Sequence, residues 1–378
     1  MTAGAGAAGA GGAGAGGAGA GGVGGVGAAG RPGRELSIAL QSDEDLATYA
    51  TLAPRIEELG FGTISVYSDL LYPSPLLPLI TIAQATCRIR LGPACLNPYL
   101  LHPLEIANQI HLLDAVSGGR AYLGLARGAW LDAVGVTQDR PVRRLREAIE
   151  VVRYLFSGAF SGTAEGYSGE IFRVQPGVRL AYRPVREDIE VLVGAWGPLG
   201  LSLAGELASE VKIGGSANPA LLASARRALA RGEARARRPA GTVGLACGAV
   251  TVVDDDGASA RRLARAEVAT YLPVVVGLDR AGLDPEVDPD VDADLDPDLG
   301  QADLAAMQRL VRAGDHEGAG RLVPDAVLDR FAFSGTPGQV AAQVEALFAA
   351  GATRVEFGTP HGLTAARGIE LIGRHVLP

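Results

Sequence analysis

The chain has 378 residues and carries 34 basic against 42 acidic side chains, a formal net charge of −8. Hydrophobic residues make up 48% of it, enough for a sizeable core in one large α/β barrel or in two smaller domains. The acid excess leaves no basic stripe for a polynucleotide, so no nucleic-acid partner is expected. No uninterrupted apolar run is long enough to span a bilayer, so no membrane partner is expected either.

Residues 2–30 are almost wholly glycine and alanine. Such a segment has high backbone entropy and nothing to bury, so residues 1–33 are read as a disordered tail; the alternative is a true start near Arg34. The N-terminus lacks the charged and apolar regions of a signal peptide. Cys87, Cys95 and Cys247 lie far apart and without metal-ligand spacing. Neither a disulfide framework nor a metal site is implied, and a reducing cytoplasm is the expected compartment. Lys212 is the one lysine; with the Ala/Gly/Pro/Arg bias this points to GC-rich coding.

From Leu36 the texture alternates between strand and helix. Leu36–Leu40 reads as a strand. Leu46, Tyr49, Ala50, Ala53, Ile56 and Leu59 then recur at helical spacing, and Gly60 ends that helix. Strands follow at Thr63–Tyr67, Ile89–Pro93 and Ala121–Leu125, separated by helices over Pro75–Thr86 and Leu104–Val116, the second opened by Pro103. An arginine-rich helix spans Val142–Phe156, and residues 157–187 read as irregular. Further strands are Ile189–Gly194, Val211–Gly214, Val243–Val253 and Arg354–Phe357; helices span Leu199–Ala208, Ala220–Ala236, Ala258–Val276, 336–350 and Ala365–His375. Eight β/α alternations predict an α/β fold, a parallel (β/α)8 TIM barrel over 34–378, with a doubly wound open sheet as the alternative. Residues 278–330 break the pattern with acids at 284, 286, 288, 290, 292, 294, 296 and 298. They lack the glycine and closing glutamate of a calcium loop, so a solvated, mobile acidic insertion is expected.

In such a barrel the chemistry sits at the C-terminal ends of the strands. The residues following those ends are Ser68-Asp69-Leu70, Ala94-Cys95-Leu96-Asn97-Pro98-Tyr99, Ala126-Arg127-Gly128-Ala129-Trp130, Ala195-Trp196-Gly197-Pro198, Gly214-Gly215-Ser216-Ala217-Asn218 and Gly358-Thr359-Pro360-His361-Gly362. Arg127-Gly128 and Gly197-Pro198 lead into helices, where backbone N–H groups and a cation favour a phosphate; an ordinary βα turn reads the same way. Asp69 is a hydrogen-bond partner, a base or a helix cap. Asn97 contacts a ring carbonyl or turns the chain. Trp196 stacks on a ring or seals the barrel. Of the five histidines only His361 falls on this rim; His102 is placed as a helix cap. No Ser/His/Asp order or HExxH run supports hydrolysis.

Leu91-Gly92-Pro93-Ala94-Cys95-Leu96-Asn97-Pro98-Tyr99 with His102-Pro103, and Ser117-Gly118-Gly119-Arg120-Ala121-Tyr122-Leu123-Gly124-Leu125, resemble the bacterial-luciferase-like superfamily. Gly194-Ala195-Trp196-Gly197-Pro198, Ala204-Gly205-Glu206 and Phe357-Gly358-Thr359-Pro360-His361-Gly362 resemble its branch around methylenetetrahydromethanopterin reductase, which uses the deazaflavin coenzyme F420. The resemblance covers residues 36 to about 253 and about 322 to 378. It implies a non-prolyl cis peptide at Ala94–Cys95 against the deazaflavin ring, Asn97 at the ring's pyrimidine-like edge and Asp69 as a cofactor-proximal acid. It also implies a phosphate cradle from Arg127, Gly128 and Ala129 with Ala195, Trp196 and Gly197.

Two positions depart from the family's sugar-phosphate dehydrogenases: Leu70 stands for their histidine and Ala129 for their glutamate. Alcohol oxidation by that acid–base pair is therefore not expected. Hydride transfer to an activated C=N or C=C bond needs less from protein acids. The resemblance implies a coenzyme F420-dependent oxidoreductase acting on a small organic substrate, with Asp69 and His361 as the candidates for a catalytic role. An FMN-dependent monooxygenase and a cofactor-binding protein without turnover are the alternatives. It further implies a homodimer through helices near 75–115.

Overall fold

The computed structural model describes residues 33–158, 165–282 and 300–377. The Gly/Ala tail and the alternating acids of 284–298 lie outside the described residues. Strand and helix alternate as β1 (Glu35–Leu40), α1 (Leu46–Leu59), β2 (Thr63–Tyr67), α2 (Leu76–Ala85), β3 (Arg90–Ala94), α3 (Pro103–Ser117), β4 (Leu123–Ala126) and α4 (Pro141–Arg153). A hairpin of β5 (Tyr167–Ser168) and β6 (Arg173–Val174) precedes β7 (Val191–Gly194), α5 (Pro198–Leu207), β8 (Glu210–Gly214), α6 (Leu221–Arg235) and β9 (Gly244–Val253). The remainder is α7 (Gly257–Gly282), α8 (Gln301–Arg312), α9 (His316–Gly320), α10 (Asp325–Phe331), β10 (Ala332–Gly335), α11 (Pro337–Ala349), β11 (Arg354–His361) and α12 (Ala365–His375).

Local chemistry sets these boundaries. Gly60 and Gly118 end α1 and α3 in the left-handed conformation, at φ 97 and 65. His102 caps α3, its Nδ1 accepting from the Leu104 N–H at 3.2 Å, ahead of Pro103 at the first helical position. Thr336 and Gln339 form a capping box at the start of α11.

The barrel strands pair in parallel, in the order β3-β2-β1-β11-β9-β8-β7-β4. The bridges Leu91↔Ala121 and Leu96↔Leu125 bring β3 and β4 together and close the circle. This is the predicted (β/α)8 barrel. Side chains alternate in and out along each strand. The outward set, including Ile38, Ile64, Val66, Leu91, Leu123, Val193, Val211, Ile213, Val355 and Phe357, is buried beneath the helices.

The inward set is charged. Arg354 donates to both carboxylate oxygens of Glu210, at 2.9 and 2.8 Å, and reaches Glu356 at 2.9 Å and Ser37 at 3.0 Å. Lys212 pairs with the other Glu356 oxygen. Ser65 donates to Glu356 at 2.5 Å and lies 2.8 Å from the Tyr122 hydroxyl. Arg90 bridges Glu190 at 2.8 Å and Glu210 at 3.1 Å. Burial alone would push the Glu356 carboxyl up; Lys212 and Arg354 overcome this and hold it below its ordinary range.

Two features depart from the expected order. β10 pairs with the far half of β9, from Ala332↔Val250 to Gly335↔Val253, beyond the point where β8 ends. It is short and lacks alternation, so nothing local marks it. Residues 301–331, expected within a solvated, mobile insertion, form three helices. Met307, Ala319, Val323, Val327, Leu328 and Phe331 bury a second apolar cluster against Ala260, Ala264, Val268 and Leu272 of α7. The Leu304, Met307, Leu310, Val311 spacing already carried that helix, and the acidic run beside it masked the signal.

Removing one member of a buried ion network leaves its partners desolvated and under-compensated. Arg354→Met should lower the unfolding free energy by about 3–5 kcal/mol. Chemical denaturation measures it, and a loss below about 1 kcal/mol would mean that the interior charges are not what holds the strands.

Candidate active site at the barrel mouth

Two residues above the Lys212–Glu356 level, the alternation places Ala39, Tyr67, Ala94, Ala126, Gly194, Gly214, Val250 and Gly358 inward. All but Tyr67 and Val250 are glycine or alanine. Tyr67, Ala126, Gly194 and Gly214 are part-exposed, so solvent enters the mouth between the strand ends.

The Ala94–Cys95 peptide at the end of β3 is cis. Cys95 is half-buried, and burial pushes its thiol up to about 12 despite nearby Lys212. It therefore stays protonated and is no nucleophile. Asn97 Oδ1 accepts from the backbone N–H groups of Tyr99 and Leu100 at 3.2 and 3.0 Å. It turns the chain toward α3, which leaves its Nδ2 end for any ligand.

Gly128 adopts φ +83, which favours glycine, and a Cβ there would crowd Asn97 Cγ at 3.2 Å. The Asn97 turn and the Arg127–Gly128 turn are thereby in contact. Gln138 Nε2 donates to the carbonyls of Arg127 and Gly128 at 2.8 and 2.9 Å and fixes that turn. Past it, Asp132, Gly135, Val136, Thr137 and Gln138 line a shallow recess of about 390 Å³. Arg127 is exposed, and its guanidinium makes no hydrogen bond or ion pair with any described residue. Ala129 is half-buried beside it.

Asp69 is half-buried and accepts from Gln41 Nε2 at 3.0 Å, which ties it to the end of β1. It is not a helix cap, because α2 begins only at Leu76. At the end of β7, Ala195 is buried and its N–H donates to the Lys212 carbonyl at 3.1 Å. Gly197 is the N-cap of α5, with Pro198 at the first helical position. Ala126 and Gly194 are direct partners across β4 and β7, so the two stretches assigned to the phosphate leave from neighbouring strand ends. Trp196 is half-buried and packs against both apolar clusters.

His361 is not on the open rim. β11 continues past Phe357 to His361, whose side chain is 1% exposed. Its Nε2–H donates to the Ala39 carbonyl at 3.1 Å, and burial pulls its pKa down to about 4. A neutral ring that spends its N–H on β1 serves to join strands, which removes it as a proton donor. Sequence reasoning passed over Tyr67, Lys212, Glu356 and Gln41. The available signal was a lysine and glutamates in phase with glycines along strands that are otherwise apolar.

Among the described residues no cluster of His, Cys, Asp and Glu could hold a metal, and no helix is long and apolar enough to cross a membrane. The family model for luciferase-like monooxygenases matches residues 26–354. The chain belongs to this family.

The luciferase-like chain is 34% identical to the 5,10-methylenetetrahydromethanopterin reductase of Archaeoglobus fulgidus over 305 residues, 79% of this chain and 86% of the relative. It is 30% identical to that of Methanolobus tindarius over 337 residues, 88% and 95% of the two chains. The solved structure of the coenzyme F420-dependent tetrahydromethanopterin reductase from Methanopyrus kandleri superposes with a TM-score of 0.77 at 27% identity, covering 90% of this chain and 98% of that one. An F420-dependent secondary alcohol dehydrogenase, at 16% identity and TM-score 0.71, shares the fold.

Among the described residues, this luciferase-like oxidoreductase therefore has a mouth of small residues, with Arg127 unpaired beside it and no activated thiol. Its thiols offer a check on the geometry. Cys87 is exposed, while Cys95 and Cys247 are both pushed up to about 12 by burial. A disulfide reagent at mildly alkaline pH should titrate one fast thiol, lost in Cys87→Ser. A second fast thiol would mean that Cys95 is more open than described.

Proposed function

We propose that this chain is a coenzyme F420-dependent oxidoreductase that exchanges hydride between the deazaflavin and a small organic substrate with an activated C=N or C=C bond. The observation that carries this reading is the similarity, over 79% of the chain, to the Archaeoglobus methylenetetrahydromethanopterin reductase. The residues at the mouth fit such a group. Glycine and alanine line the strand ends beside the cis Ala94–Cys95 peptide and leave room for a flat ring.

Arg127 carries an uncommitted cation for the side-chain phosphate, beside the N–H groups of Gly128 and Ala129 and the helix N-terminus at Gly197. Asn97 offers its Nδ2 to a ring carbonyl, and Ala195 and Trp196 wall the far side. Asp69, braced by Gln41, stands near the ring as a fixed acceptor. The bound cofactor supplies two electrons as hydride; the protein excludes water, orients the partners and holds charge. Leu70 and Ala129 carry no titratable group, which disfavours alcohol oxidation and favours acceptors already polarised.

Fluorescence titration with coenzyme F420 and with FMN tests the reading: F420 should bind, and binding of FMN alone would overturn it. Arg127→Ala should weaken F420 about ten- to a hundredfold, the worth of a charge-assisted contact. A deazaflavin fragment without phosphate should be unaffected, and equal effects on both would remove Arg127 from the cradle.

A homodimer fits the same reading. Leu77 on α2 and Leu104 and Leu112 on α3 are exposed apolar side chains on neighbouring helices. The variant carrying both Leu104→Glu and Leu112→Glu should sediment as a monomer where the parent is a dimer; an unchanged dimer would place the interface elsewhere.

A further inference from the structure

Reduction of a neutral C=C or C=N bond needs a proton as well as a hydride, and the candidates expected at the mouth do not provide one. His361 is spent on β1, Asp69 accepts a hydrogen bond from Gln41, the Cys95 thiol is held at about 12, and Leu70 and Ala129 carry no proton to give. We propose that the Tyr67 phenol is the catalytic proton donor of this site, delivering to the substrate atom that gains a proton as hydride arrives. The proposal rests on the hydride-transfer reading above and adds to it a residue and a substrate class, neutral acceptors that must be protonated on reduction.

Four observations carry it. Tyr67 is the last residue of β2, in phase with the inward Thr63 and Ser65, and is the one large side chain in the ring of small residues at the mouth. In the strand register its backbone pairs with Ala94, so the end of β2 and the cis Ala94–Cys95 peptide are neighbours at the mouth, while the phenol leans the other way.

Its hydroxyl reaches across β1 toward β11. A Cβ at Gly358 would stand 2.5 Å from the Tyr67 oxygen, so the glycine there gives the phenol its place. The hydroxyl makes no hydrogen bond with any described residue, whereas the Ser65 and Tyr122 hydroxyls below it are bonded and Tyr271 above donates to the Phe331 carbonyl at 2.8 Å.

Lys212 Nζ sits 5.1 Å from the centre of the Tyr67 ring, with Glu356 behind it. Burial first, then the Glu356 and Asp69 charges, push the phenol well above its ordinary value, so it holds its proton until it is used. Lys212 is the adjacent cation while a tyrosinate exists.

Hydride, two electrons with one proton, adds to the carbon of a neutral C=C or C=N bond, with a reduced deazaflavin as the two-electron donor. The π pair moves onto the acceptor end, which takes the proton from Tyr67 Oη. Water at the open mouth reprotonates the tyrosinate. The substrate gains two hydrogens and the donor is oxidised by two electrons. An N-alkylated iminium needs no such proton, because hydride addition alone neutralises it.

Tyr67→Phe keeps the ring and removes the donor. With reduced deazaflavin, it should lower the ratio of kcat on a cyclic enone to kcat on an N-methyl iminium at least a hundredfold, the worth of general acid catalysis. Cofactor affinity should stay within about twofold, since a charge-assisted phosphate contact and not the phenol dominates it.

A second readout needs no substrate: 3-fluorotyrosine placed at 67 should shift its fluorine resonance when oxidised deazaflavin binds. An unchanged kcat ratio, or an unmoved resonance with the cofactor bound, overturns the role of Tyr67 alone. Failure of the unmodified protein to bind any deazaflavin overturns the cofactor reading itself and carries this proposal with it.

Discussion

The structure depends on a buried ion network along the barrel axis. Arg354 holds Glu210 with two hydrogen bonds, and Glu356 is shared among Arg354, Lys212 and Ser65. Barrels of this kind more often fill their axis with branched aliphatic side chains. Charges there are costly to desolvate, and they persist only when each hydrogen-bonding atom finds a partner. Residues on β1, β2, β3, β8 and β11 supply those partners, so the network ties together strands far apart in the chain. Glycines in the same layers make the room. A Cβ at Gly92 would collide with Tyr122, and one at Gly248 would crowd Lys212 at 3.2 Å.

The network also shapes the mouth above it. The large polar side chains stop at the Lys212–Glu356 level, and the next inward layer is almost entirely glycine and alanine. The floor of the site is thus charged but internally neutralised, and its walls are bare backbone. Such a site gives a planar ligand space and a fixed field, and leaves specificity to the few side chains that intrude. Tyr67 is the largest of them, and Asn97, Asp69 and Arg127 stand around the edge. The loops after β4 and β7 are adjacent because Ala126 and Gly194 pair directly.

Much of this was legible in advance because it is local. Strand and helix periodicity, the Gly60 stop and the Pro103 start are read from windows of a few residues, and the elements stand where those signals put them. The cis Ala94–Cys95 bond was implied by resemblance and is present. Three readings went astray for an identifiable reason. A dense acidic run drew attention from the helical spacing in 301–312. β10 is too short to alternate visibly. His361 was placed on the rim by ending its strand at Phe357, and the four further residues of β11 take it into the core.

The sequence by itself determined the parallel barrel, the order of its elements and the segments that meet at its mouth, because these follow from period, caps and the sidedness of β/α units. Only the tertiary structure decided which inward side chains meet. Lys212 and Glu356 are 144 positions apart, and no local pattern couples them. The same holds for the Tyr67 hydroxyl at Gly358 and the His361 ring against Ala39. Closing a sheet into a cylinder sets these distances, and closure is a property of the whole chain.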